Sequence, residues 1–213
     1  MSVEIDIILI LVAGIASVID TIAGGGGLLV LPTLLLSGVP PAMALGTNKL
    51  QATLGCSVSA TSFLRAGKIQ WHQIKLGIIC CFIGATIGTL TITQLNPDFL
   101  GKLIPILIFC ILLYMILFKQ SGHQQRPARI AQSTFFITFG LILGFYDGFF
   151  GPGTGSFWVI AMILLLGWDI KKATMHAKTY NFVSNLFSLL WFIFTGHVIF
   201  SIGLMMAVSS MVG

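Results

Sequence analysis

The chain has 213 residues, of which 56 % are hydrophobic and only 8 % charged, and its formal net charge is +5. With a mean hydropathy of +1.01, this composition excludes a soluble globular domain and describes a polytopic membrane protein made almost entirely of helices. Most of the basic residues sit in connections between apolar runs, where they report orientation in a bilayer rather than affinity for nucleic acid.

The first apolar run predicts a helix over 5–19. Glu4 and Asp6 mark its start and no basic residue does, so it is read as a retained span and not a cleaved signal. Asp20 follows, and then Gly24, Gly25, Gly26 and Gly27 break the run. The segment 28–37 is about ten residues, roughly 15 Å at helical rise, which is too short to cross the ~30 Å hydrocarbon core and predicts a half-helix. Pro40 and Pro41 open a long helix over 41–64, with Pro41 suited to its first position. Spans at 74–94 and 99–118 follow, the second with a kink predicted at Pro105. KQSGHQQRPARIAQ, 119–132, is a solvated linker that divides the chain into repeats at 1–118 and 133–213. Beyond it come a helix to about 149, a GPGTGS break at 151–156, a short segment 157–166, a long helix 170–195 and a last helix from 198.

The halves are related. At a displacement of 129 residues Val30 matches Val159, Gly38 matches Gly167, Ala44 matches Ala173, Lys49 matches Lys178, Ser59 matches Ser188, Phe63 matches Phe192 and Gly67 matches Gly196. At 127, Asp20, Gly24 and Gly26 match Asp147, Gly151 and Gly153. Single matches between apolar helices carry little; the shared order of acid, glycines, short segment, long helix and lysine carries the repeat. Gly213 matches Gly84 while the first half runs on to 118, so the repeat predicts roughly 35 further residues in the second half. Arg65, Lys68, Lys75, Lys119, Arg126, Arg129, Lys171 and Lys172 are eight of the eleven basic residues. They fall on one face if the halves are inverted, and that face is cytoplasmic, with the N-terminus periplasmic. The predicted fold is therefore an all-α membrane protein of two inverted-topology repeats with glycine-broken half-helices, a transporter architecture.

Lys49 and Lys178 each lie about eight residues into a long helix, ~12 Å from its start. An ammonium at that depth either faces a pathway or partner, or snorkels to the nearer interface. Small residues, Ala52, Thr53 and Cys56 among them, share the face of Lys49; Thr174, Asn181 and Asn185 share that of Lys178. Thr47 and Asn48 adjoin Lys49. Backbone amides at Gly24–Gly27 and at Gly151, Gly153, Thr154, Gly155 and Ser156 open half-helices, where exposed N–H groups suit an anion. All of these are candidate substrate contacts; for the glycines, close helix contact is the alternative. Asp20 and Asp147 are candidates to pair with a lysine, to cap the next turn, or to carry a coupling proton. Tyr146 is a candidate hydrogen-bond partner of Asp147, and His176, nearly opposite Lys178 on its helix, a packing or gating residue. The four cysteines lie in apolar helices without a CxxC and read as packing residues. No metal-ligand cluster, nucleophile–base pair or GxxxxGK[ST] loop stands out, so neither an enzyme nor a cofactor or metal is expected.

The stretches IDTIAGGGGLLVLPTLLLSGVPPAMALGTNKLQAT, GFYDGFFGPGTGSFWV and KATMHAKTYNFVSN resemble the sulfite exporter TauE/SafE family of bacterial membrane transporters. The resemblance covers the whole chain. It implies seven or eight helices and movement of a small sulfur-containing anion, such as sulfite or sulfoacetate, across the inner membrane, with a proton as possible coupling ion. A passive anion channel and a membrane scaffold are the competing readings. The charge count leads us to expect single cysteines placed at 65–75 and 171–172 to label only from the cytoplasmic side and those at 195–198 only from outside; labelling of 119–129 from outside would overturn the orientation.

Overall fold

The computed structural model describes residues 3–65, 69, 71–117 and 126–212. Among these, the elements are α1 (Val3–Ala23), α2 (Gly27–Leu36), α3 (Pro41–Arg65), α4 (Trp71–Thr93), α5 (Pro97–Leu117), α6 (Gln132–Phe149), α7 (Thr154–Leu166), α8 (Ile170–Phe194) and α9 (Phe200–Val212). The predicted order is met, with shifts at both breaks. α1 runs a turn beyond 19, so Asp20 lies inside the helix, and the chain turns at Gly24 with φ +76°. At the second break Gly151 and Gly153 take φ +103° and +83° and complete the reversal within three residues. Thr154, Gly155 and Ser156 are thereby released into the first turn of α7 instead of the break. Such left-handed positions are open to glycine and strained for other residues. Helix continues on both sides of Pro105. Residues 119–125 of the linker, with Gly67, Lys68 and Gly213, lie outside the described residues. The linker's described end is tied to the α7–α8 turn: Arg126 N donates to Gly167 O and Arg129 N to Leu165 O, both at 2.8 Å.

The order α1–α2–α3–α4 recurs as α6–α7–α8–α9, and the packing recurs with it. α1 lies on α9 as α6 lies on α4; α3 touches α9 as α8 touches α4; α3 and α8 pack on each other. Each half therefore closes its partner's surface and the halves interlock. The α4–α6 seam is the tightest part. A side-chain carbon at Gly88 would lie 2.1 Å from Phe145 O, and one at Gly148 2.1 Å from Ala85 O. Gly84 and Gly88 on one helix face Gly140, Gly144 and Gly148 on the other, each set spaced by four and so forming one stripe along which backbones approach. Thr89 Oγ1 donates across the seam to Gly148 O at 3.0 Å.

The half-helices anchor two apolar cores. α2 places Val30, Leu31 and Leu34 in one with Phe192 and Met206 of the other half; α7 places Trp158 and Met162 in the second with Phe136 and Tyr180. The outside is apolar too: Ile7, Leu11 and Ile15 of α1 and Ile106, Phe109, Leu113 and Ile116 of α5 are exposed. Among the described residues, Ile74–Thr93 and Pro97–Leu117 are long and apolar enough to cross a membrane. A coat of this kind is suited to hydrocarbon, not water.

Gly148→Ala forces a methyl group against the Ala85 carbonyl, and overpacking of this kind is expected to cost about 1–3 kcal/mol. It should appear as a lower melting temperature in detergent. Gly101→Ala, where an added carbon meets nothing within 4 Å, should melt no lower than the parent.

Candidate functional site

Two ion pairs form where α1 and α6 end, and both cross between the halves. Lys49 Nζ lies 2.8 Å from Asp147 Oδ1, and Lys178 Nζ lies 2.5 Å from Asp20 Oδ2. The lysine of each repeat thus meets the aspartate of the other. Each ammonium also donates to the backbone carbonyl of its aspartate, Lys49 at 2.5 Å and Lys178 likewise to Asp20 O. That carbonyl belongs to the last turn of a helix, where the dipole favours a cation, and Asp20 O accepts from Gly24 N at 2.9 Å as well.

The sequence treats the pairs as equivalents, but their surroundings differ. Asp147 is satisfied on both oxygens: Thr154 Oγ1 donates to Oδ1 at 3.1 Å and Ser184 Oγ to Oδ2. Lys49 and Asp147 are each 1 % exposed. Asp20 is 21 % exposed, accepts from Gly26 N at 3.2 Å, and has the Cys56 thiol 3.9 Å away. Gly55 stands in the first half where Ser184 stands in the second, and offers no hydroxyl to Asp20. The breaks themselves touch. A side-chain carbon at Gly24 would lie 2.5 Å from Ser156 N, and one at Gly155 3.1 Å from Gly24 Cα. Glycine is required at these two positions by the crossing of two backbones, whatever else it does there.

An open cleft lies against the exposed pair, bounded by α1, α3, α8 and both breaks, with about 550 Å³ of empty space, its mouth included. Of the predicted residues, Asp20, Gly24, Gly26, Gly27 and Asn48 line it from the first half. Gly151, Gly153, Thr154, Gly155, Lys178, Asn181 and Asn185 line it from the second. The others stand elsewhere. Lys49 and Asp147 are sealed behind the cleft wall. Thr47 Oγ1 accepts from Ile199 N at 3.0 Å and so holds the start of α9. Thr53 Oγ1 donates to Lys49 O at 2.7 Å, within its own helix. Gly25 faces Met115, and neither Ser156 nor Thr174 reaches the cleft. Tyr146 does not serve Asp147; its hydroxyl donates to Pro152 O at 2.5 Å and braces the second break. His176 is buried away from both pairs, with Nδ1 3.0 Å from Lys172 O and its ring 4.6 Å from that of Trp168. The amides at the head of α2 are not free either: Leu28 N and Leu29 N turn back to Gly25 O and Gly26 O, and Gly26 N is spent on Asp20.

Ser17, Thr21, Gln51 and Ser59 line the cleft and were not singled out in the sequence. A signal for them existed: Ser17 and Thr21 share a helical face with Asp20, and Gln51, Gly55 and Ser59 one with Asn48. The result is a polar recess with one cationic group, several amide and hydroxyl groups and a partly exposed carboxylate, inside a protein with an apolar exterior. Among the described residues no group of three His, Cys, Asp or Glu side chains could hold a metal ion.

A family profile described as sulfite exporter TauE/SafE matches residues 9–213. The chain is 43 % identical over 215 residues to a probable membrane transporter protein of Haemophilus influenzae, covering 100 % of this chain and 84 % of that relative. It is 44 % identical over 207 residues to the probable membrane transporter protein YfcA of Escherichia coli K12, covering 97 % of this chain and 77 % of that one. A probable membrane transporter protein, ORF9, of a Sinorhizobium species is 38 % identical over 205 residues, covering 96 % and 78 %. No solved structure matches.

The inequality of the pairs has a measurable consequence. Lys49→Met leaves Asp147 buried without a cation, which should cost about 3–5 kcal/mol. Lys178→Met should cost clearly less, because Asp20 keeps access to water. Adding Asp147→Asn to Lys49→Met should recover most of the loss. Melting of the three variants in detergent checks this, and equal losses for the two single lysine changes would contradict it.

Proposed function

The chain belongs to the sulfite exporter TauE/SafE family, and we propose that it is a secondary transporter carrying a small sulfur oxyanion, such as sulfite or sulfoacetate, across the bacterial inner membrane. The observation that carries this reading is the seat of Asp20. Its carboxylate rests on the Lys178 ammonium and the Gly26 N–H at the head of a half-helix, in the wall of an open cleft. These are the contacts an oxyanion would use. A substrate of the same charge takes that seat by displacing Asp20, with the Asn181 and Asn185 side chains, which also line the cleft, adjusting the fit. The displaced carboxylate, left without its cation in a partly exposed cleft, is the candidate carrier of a coupling proton. Anion and proton are bound together, and the flux is coupled to the proton gradient.

The crosswise pairs and the matched packing of α1–α4 and α6–α9 support two related repeats, and the count of basic residues supports their inversion with the basic connections on the cytoplasmic side. The unequal exposure of the two pairs supports alternating access over a continuously open anion channel, since one lysine faces a cleft while its counterpart is sealed.

The test is uptake of labelled sulfite into proteoliposomes together with direct binding, with thiosulfate, sulfoacetate, sulfate and carboxylates as competitors. Lys178→Gln, which removes a charged hydrogen-bond donor, should weaken sulfite binding by about tenfold or more while the protein still folds. Asp20→Asn should keep binding and lose its dependence on a pH gradient. If Lys178→Gln binds and transports like the parent, the site is wrong; if no anion in the panel binds the parent, the substrate class is wrong.

A further inference from the structure

We propose that the chain holds a second anion vestibule, closed in this structure, between α6 and α8, through which the same anion reaches the crossed breaks from the other side. The proposal rests on the transport reading and adds to it the residues of the second entrance. The open cleft parts α1 from α3 and reaches Lys178, Asn181 and Asn185 of α8 on its far wall. At a displacement of 129, the cleft residues Gln51 and Ser59 correspond to Tyr180 and Ser188. Both counterparts are 0 % exposed, and among the described residues the Tyr180 hydroxyl and Ser188 Oγ have no hydrogen-bond partner. Leaving a buried hydroxyl unpaired costs about 1–3 kcal/mol, and folded interiors rarely leave such groups orphaned. Two orphans at the positions matching two cleft-lining residues are polar groups shaped for a wetted wall.

The closure itself is visible. Ser184 Oγ of α8 donates to Asp147 Oδ2 of α6, a bridge that Gly55 does not provide on the open side. The Phe136 ring of α6 lies 5.2 Å from that of Tyr180, and Trp158 of α7 stacks on Tyr180 at 4.8 Å. The matching positions on the open side hold Leu9 and Leu29, which build no such aromatic plug. Lys49 waits behind it, as Lys178 stands in the open cleft. When α6 and α8 part, Lys49 exchanges the Asp147 carboxylate for the anion, and Tyr180 and Ser188 become wetted.

Ser59→Cys and Ser188→Cys place reporter thiols in the two spaces. Labelling of the purified full-length chain with iodoacetamide, without substrate, and site-resolved mass spectrometry keep them apart from Cys56, Cys80, Cys81 and Cys110. In the parent background the thiol at position 59 should label readily and the one at position 188 slowly. Ser184→Ala, which removes a hydrogen bond to a charged group, should raise the rate at 188 about tenfold and lower the rate at 59. Phe136→Leu, which thins the plug without touching an ion pair, should act in the same direction. Reciprocal change in either background supports the vestibule. Rates that rise together report mere loosening and overturn it, as does a rate at 188 unmoved by both changes. Because no substrate is present, failure of the sulfite site would leave this result standing. Loss of reciprocity would in turn leave Lys178 as a one-sided anion site.

Discussion

An ammonium and a carboxylate buried in a protein coated with hydrocarbon must find each other, because either one alone costs several kcal/mol there. In this chain each repeat supplies one of each, and the pairs form crosswise, Lys49 with Asp147 and Lys178 with Asp20. That constraint orders the centre of the molecule. Each lysine also takes a carbonyl from the last turn of α1 or α6, so those helices must end just past their aspartates. Glycines end them, and the two breaks lie in backbone contact at Gly24 and Gly155. The half-helices α2 and α7 are short because they begin at mid-chain turns that the pairs dictate.

Crosswise pairing makes neither half complete without the other, yet the pairs differ in what holds them. Asp147 is enclosed by Lys49, Thr154 and Ser184 and serves as an anchor. Asp20 has Lys178, one backbone amide and a route to solvent, and its hold is the weaker of the two. Buried ion pairs are weak devices for stability, since apolar side chains of the same volume usually do as well. The place of one pair beside an open cleft fits the anion exchange proposed above.

Between these charges and the lipid, two seams fix the helices. Along α4–α6 glycines bring backbones together, and the Thr89 hydroxyl reaches the Gly148 carbonyl. Along α1–α9 the matching seam uses hydroxyls: Ser209 Oγ donates to Ile10 O at 2.8 Å and Ser210 Oγ to Ala13 O at 3.2 Å. Both seams pair helices from different halves and both are closed. The asymmetry of the molecule lies elsewhere, in α1 standing apart from α3 while α6 is latched to α8. Small residues bring the backbones together at the α4–α6 seam, while polar side chains are concentrated where α1 faces α3 and α6 faces α8.

Composition and periodicity settled much of this protein. An apolar share of 56 % left only a membrane fold. The glycine runs set the breaks to within three residues, and the repeat of acid, glycines and lysine marked the four charged residues that do pair. Family membership was legible in the same motifs. Partners were not. Lys49 lies 98 residues from Asp147 and Lys178 lies 158 from Asp20, and local spacing says which face of a helix a side chain occupies without saying which helix covers that face. For that reason Tyr146 was assigned to its neighbour Asp147 when its hydroxyl serves Pro152, and Thr47 to a cleft when it holds α9. The same limit hid Gln51 and Ser59, whose helical face was readable but whose exposure to a cleft depended on how far α1 stands from α3. The sequence determined which residues carry charge and where the helices must break. The docking of helices decided which charge is sealed and which is open, because burial is a property of neighbours brought together from distant parts of the chain.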